Sequence, residues 1–168
     1  MQRFVFKPFL ITMPPFPPAL RQRTGSLLVL LQFGLLLWLG LRAMPALLRG
    51  ELPRASGWLL LASAALGGWT LLHNRLGNFN IHPAPRAGGV LVTTGPYRLL
   101  RHPMYSSVLL AGAALANLPA PWASWLLWAA LALVLWLKAL LEEQWLRRHY
   151  SGYPAYCRSC KRFVPWVF

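Results

Sequence analysis

The chain has 168 residues, 57% hydrophobic and only 12% charged, with 17 Lys plus Arg, three acids and a net charge of +14. Soluble domains carry about 25% charged residues, so the composition excludes an ordinary soluble globule and the length allows one small membrane bundle. The basic residues sit in short clusters between apolar runs, with no groove-reading motif, which argues against a nucleic-acid partner.

Residues 1–25 read as a basic lead-in, with Pro8, Pro14, Pro15, Pro17 and Pro18 among Arg3, Lys7, Arg21 and Arg23. So many prolines bar a regular helix. The run Phe4–Ile11 is broken by Lys7 and Pro8, so it is not read as a signal peptide. Residues 26–168 are expected to form one membrane domain. Four apolar runs follow in order: Ser26–Leu41, Gly57–Leu72, Met104–Leu118 and Trp122–Leu141. Each predicts a transmembrane helix, so the expected fold is an all-α integral membrane protein with about four spans. The second run carries Gly67 and Gly68, and the third carries Ala111, Gly112, Ala113, Ala114 and Ala116. Small residues let membrane helices approach closely. The third and fourth runs predict an antiparallel hairpin with a turn at Pro119–Pro121. The nine Trp fit rings at the lipid–water boundary.

Basic residues near helix ends set orientation. With both termini in the cytoplasm, that side collects fourteen Lys and Arg, and the far side only Arg42, Arg49 and Arg54. The polar loop Asn74–Thr94 and everything after Lys138 then face the cytoplasm. The stretch Gly89–Gly95 predicts a short extended piece ending in a Gly-Pro turn.

Glu142 and Glu143 stand side by side at the end of the fourth run, and the only other acid is Glu51. A charged side chain at membrane depth is costly, so such a pair needs a partner or a task. Before the third run lies Gly95-Pro96-Tyr97-Arg98-Leu99-Leu100-Arg101-His102-Pro103-Met104-Tyr105. Arg98 and Arg101 would share a face of a helical turn. Pro103 keeps His102 out of helix and suits a first helical position. The helix start after it is expected to offer free N–H groups to an anion. An antiparallel hairpin brings this segment and the acid pair to one membrane face. An anion site and a cation site then adjoin, as a zwitterionic small molecule requires. The plainer alternative has Arg98 and Arg101 as anchors and the acids paired with Lys138, Arg147 or Arg148, Glu143–Arg147 being an i,i+4 pair.

The ordered set Gly-Pro-Tyr-Arg, Arg-His-Pro-x-Tyr, apolar hairpin and Glu-Glu resembles the signature of the isoprenylcysteine carboxyl methyltransferase family. The tail, with Tyr150, Gly152-Tyr153, Tyr156 and Arg162-Phe163-Val164-Pro165, is similar to that family's ending. The resemblance covers residues 75–168. It implies a membrane methyltransferase that uses S-adenosylmethionine and has its cofactor pocket on the cytoplasmic side. By this resemblance Tyr97, Arg101, His102, Pro103, Tyr105, Glu142 and Glu143 enclose the cofactor. The acids meet its ammonium or ribose hydroxyls, and His102 with neighbouring N–H groups meets its carboxylate. Arg98, Arg162 and Glu143 carry the catalytic roles, the two arginines orienting an anionic acceptor. That acceptor is lipophilic, a carboxylate of the isoprenylcysteine type, entering from the bilayer; a carboxylate is ionised without a base. An amine acceptor, as in the related phospholipid methyltransferases, would need one from Glu143 or His102. Many relatives have Gly two residues after the Tyr, where this chain has Ser106-Ser107 after Tyr105. Alternatives are an NADPH-dependent reductase, since membrane sterol reductases are similar in this hairpin, and a non-catalytic accessory protein. Cys157 and Cys160 lack the further ligands of a zinc site, so no metal is expected and they read as incidental thiols.

Overall fold

The computed structural model describes residues 18–74, 90–118 and 122–165. The early lead-in, the loop at 75–89 and the turn at 119–121 lie outside the described residues. The described helices are α1 (Pro18–Leu48), α2 (Arg54–His73), α3 (Pro103–Ala116), α4 (Trp122–His149) and α5 (Tyr153–Ser159). A 3₁₀ turn covers Gly95–Arg98. Among the described residues the only β pairing is one parallel bridge, Leu100 with Lys161.

Each apolar run falls on one helix, although α3 ends at Ala116, two residues short of its run. α1 starts earlier than its run, at Pro18, where the missing N–H costs nothing. α4 continues past the acid pair to Arg147, Arg148 and His149. No helix breaker lies there, and cations favour a helix C-terminus. By length and composition α1, α2 and α4 can each cross a membrane. α3 has 14 residues, about 21 Å at 1.5 Å per residue, against a hydrocarbon core about 30 Å thick.

Large apolar side chains cover the outside of the bundle, and polar groups are buried among its apolar core. Leu30, Trp38, Leu41, Trp58, Leu72 and Leu133 are exposed, whereas Gln32, Ser56, Ser63, Thr70, Ser124, Lys138 and Glu143 are buried. Water would not tolerate this arrangement, but a lipid surround does, because it solvates the outer side chains and drives polar groups inward. Three contacts join α2 and α3 as antiparallel neighbours. Ser63 Oγ donates to the Ser107 carbonyl at 2.8 Å, and Ser107 Oγ returns the bond to the Ser63 carbonyl at 3.0 Å. At the other end of the pair Asn117 Nδ2 donates to Ser56 Oγ at 3.0 Å. A Cβ on Gly67 would lie 2.8 Å from Ser107 Oγ, so the small residues permit the close approach. α1 runs antiparallel to α4, with Arg42 Nε on Ser124 Oγ at 3.1 Å and Lys138 Nζ on Gln32 Oε1 at 2.7 Å. Between α3 and α4, Trp128 Nε1 donates to the Leu109 carbonyl at 2.9 Å.

The turn leading into α3 is fixed by Gly95, whose φ is +58°. A side chain there is strained, and a Cβ would fall on the His73 ring at the end of α2. Gly95→Ala is expected to cost about 2 kcal/mol or more, from the left-handed backbone plus the clash. Thermal unfolding in detergent measures this, and adding His73→Ala should recover part of the loss. No recovery would mean that His73 does not crowd the turn.

Candidate functional site

The site lies where the start of α3, the end of α4 and the C-terminal segment converge. Residues 161–163 run beside the segment leading into α3. The Arg101 N–H donates to the Lys161 carbonyl at 2.7 Å and the His102 N–H to the Arg162 carbonyl at 3.1 Å. Ser106 Oγ donates to the Phe163 carbonyl at 2.7 Å. Ser106 therefore holds the tail and Ser107 holds α2, so both serines have structural partners.

Glu143 is the hub, with a side chain only 4% exposed. Its Oε1 accepts from Arg101 Nε at 3.0 Å and Arg162 Nε at 2.9 Å, and its Oε2 from Arg162 Nη2 at 2.9 Å. His102 Nε2 lies 3.3 Å from the same Oε1. The Arg162 fork is bidentate, the geometry that suits a carboxylate best. Arg147, the i,i+4 partner expected from spacing, reaches only 4.0 Å. Arg101 also donates through Nη1 to the carbonyls of Cys157 and Cys160 at 3.0 and 2.7 Å. It thereby satisfies orphan carbonyls at the end of α5. Burial works against the Arg101 charge, yet Glu143 carries the guanidinium above its ordinary value.

Glu142 has a different setting, with a side chain 30% exposed. It accepts the Tyr105 hydroxyl at 2.7 Å. His102 Nδ1 stands 3.6 Å from it, close enough for charge attraction but beyond a hydrogen bond. The His102 imidazole thus lies between the two acids. Its ring stacks on Tyr105 with an interplanar angle of 2° and touches Phe163 at 5.8 Å between centroids. Phe163 adjoins Trp136, over whose ring Arg162 Cζ lies at 5.4 Å. Tyr97 packs with Tyr153 and Tyr156, and the Tyr156 hydroxyl donates to its carbonyl at 2.7 Å. Burial, then the Glu142 charge, pushes the Tyr97 phenol up to about 12.

Most residues expected from the motifs therefore meet: Arg101, His102, Pro103, Tyr105, Glu142, Glu143 and Arg162 at the centre, with Tyr97 beside them. Arg98 does not join them. It is exposed at the end of the 3₁₀ turn, because that turn stops before Leu99 and the bridge at Leu100 redirects Arg101 inward. The helix start offers less to an anion than expected. Pro103 has no N–H, and the N–H groups of Tyr105 and Ser106 both go to the His102 carbonyl. With the Arg101 and His102 amides also committed, cationic side chains are the main anion partners. They line a cleft of about 300 Å³ formed by Arg101, Cys157, Arg158, Cys160, Lys161 and Arg162. Sequence reasoning assigned no role to Trp136 or Gln32, and weighed Lys138 only as a salt-bridge partner of the acid pair, whereas its ammonium donates to Gln32. For Lys138 the signal was present, a lone cation one turn before Glu142 inside an apolar run.

The family model of phospholipid methyltransferase matches residues 58–152, more than half of the chain. No curated protein and no solved structure matches it. The match runs from α2 through the acid pair to the start of the tail, and so takes in the whole hairpin on which the site is built. The match and the lipid-facing helices together identify an integral membrane methyltransferase: the chain belongs to the phospholipid methyltransferase family.

Proposed function

We propose that the chain transfers the methyl group of S-adenosylmethionine to a lipophilic acceptor, most favourably a carboxylate of the isoprenylcysteine type. The donor set fits the cofactor. Glu142, the more open acid, suits its ammonium or ribose hydroxyls, and Arg158 and Lys161 suit its carboxylate. The His102–Tyr105–Phe163 stack offers aromatic faces to a sulfonium or a base. One buried donor at this end, Trp145 Nε1, has no partner among the described residues, as suits a site that receives a polar ligand. The bound cofactor would supply an electrophilic methyl on a sulfonium. The chain's residues would align the acceptor and exclude water from it.

One observation carries the choice of acceptor. Glu143 is committed to two guanidiniums and a histidine, so the most buried acid is poorly placed as a base. A carboxylate needs none. Arg162, between Glu143 and the basic cleft, would orient an anionic acceptor, and Arg98, which is exposed, would act at the entrance. The family match favours a second reading, an aminophospholipid acceptor, for which Glu142 is the more open acid to take the proton. The match does not favour the reductase.

Four crossings and a cytoplasmic site complete the proposal. α3 is antiparallel to α2 through the Ser63–Ser107 and Ser56–Asn117 contacts, so it traverses the same layer despite its length. The site end carries the basic clusters, while at the far end Arg49 is paired with Glu51 at 2.6 Å. This asymmetry supports a cytoplasmic site end.

The test is calorimetric binding of S-adenosylmethionine, its demethylated product and NADPH to detergent-purified protein. Labelled methyl transfer to an isoprenylcysteine and to an aminophospholipid follows. Binding of the first two ligands and labelling of the carboxylate are expected. NADPH binding alone, or no binding by folded protein, would overturn the methyltransferase reading; labelling of the amine alone would replace the acceptor.

A further inference from the structure

Lys138 is the most deeply buried charge in the described bundle, 1% exposed, on the α4 face that meets α1. A lysine so placed is costly in a membrane unless a partner or a task retains it. Its ammonium makes two described contacts. Nζ donates to Gln32 Oε1 at 2.7 Å, and it lies 5.1 Å from the centroid of the Tyr105 ring. Gln32 is itself only 7% exposed and lies outside the family match at 58–152.

The chain of contacts continues to the acids. The ring beneath the ammonium is the one whose hydroxyl donates to Glu142 at 2.7 Å and whose face stacks with His102 at 5.2 Å. Glu142 follows Lys138 by one turn on the same helix. A cation over the ring attracts its electron-rich face and fixes the ring's tilt. The tilt fixes where the hydroxyl points, and the hydroxyl fixes the Glu142 carboxylate. Without Gln32 the ammonium would have Glu142 as its only nearby acid, and pairing with it would compete with Tyr105.

We propose that Lys138, anchored by Gln32, is a positioning residue that sets Tyr105 and, through it, Glu142. α1, which bears no motif, thereby completes the site. The effect on cofactor affinity rests on the methyltransferase reading above; the geometric claim does not.

The experiment labels the protein with 3-fluorotyrosine, whose five sites are read by ¹⁹F NMR, the Tyr105 line being assigned with Tyr105→Phe. Lys138→Met and Gln32→Leu should each shift the Tyr105 line and leave the Tyr153 and Tyr156 lines in place. Gln32→Leu keeps the lysine and serves if Lys138→Met does not fold. S-Adenosylmethionine affinity should fall about tenfold in Lys138→Met, with no further fall when it is added to Glu142→Gln. A Tyr105 line unmoved in the folded variants overturns the positioning role. Additive affinity losses overturn the route through Glu142. Wild-type protein that binds no S-adenosylmethionine sinks the cofactor reading, and the fluorine spectra still decide the role of Lys138.

Discussion

Glu143→Gln is expected to destabilise the protein by about 3 kcal/mol or more, the usual scale for breaking a buried ion pair by removing one partner. The substitution is nearly isosteric, so packing is not the cause. What changes is charge. Arg101 and Arg162 converge on this carboxylate, and an amide leaves two largely buried guanidiniums without their counter-charge. The same carboxylate joins three parts of the chain: the start of α3 through Arg101 and His102, α4 itself, and the C-terminal segment through Arg162. The tail should loosen first, since residues 161–163 would keep only backbone bonds with Leu99, Arg101 and His102, the Ser106 bond and the Phe163 ring contacts. Thermal unfolding in detergent reads the stability loss, and hydrogen exchange at residues 161–163 reads the tail. An unchanged melting temperature with unchanged protection would mean that the Arg–Glu contacts contribute nothing net, as many exposed ion pairs do.

The helix positions and the meeting of His102 with the acid pair were legible because they depend on properties local in sequence. Apolar runs locate helices, and a helix–turn–helix must return the chain, so His102 and the acid pair were bound to meet. Proline before Met104 located the start of α3 for the same kind of reason. What was not legible depends on direction at a junction. Arg98 and Arg101 look equivalent by spacing, but the 3₁₀ turn ends between them and only Arg101 turns inward. The two acids also look equivalent in sequence. Adjacent helical positions differ by about 100° in direction, which places Glu143 among arginines and Glu142 beside a tyrosine. Nor could spacing reveal that the Arg101, His102, Tyr105 and Ser106 amides are already committed, because their partners come from the His102 carbonyl and the distant tail. Gln32 was the least visible of all, since its partner is 106 residues away.

That division between the acids leads to the opposite expectation for Glu142→Gln: little change in stability, and a large loss of cofactor affinity. Glu142 is partly open to solvent and its one short hydrogen bond is from the Tyr105 hydroxyl. A glutamine oxygen can still accept that bond, so unfolding should shift by less than about 1 kcal/mol. Binding is another matter. The open carboxylate beside a stacked His102–Tyr105 pair is the group best placed to meet a ligand's ammonium or hydroxyls. A hydrogen bond to a charged group is worth about 1.5–3 kcal/mol, so the dissociation constant of S-adenosylmethionine should rise about ten- to a hundredfold. Calorimetry and thermal unfolding on one preparation separate the two effects. If Glu142→Gln instead melts early and binds normally, the acids have exchanged roles and Glu143 becomes the group that faces the ligand. If neither variant changes affinity in protein that binds the cofactor, the acid pair only fastens the tail to the bundle.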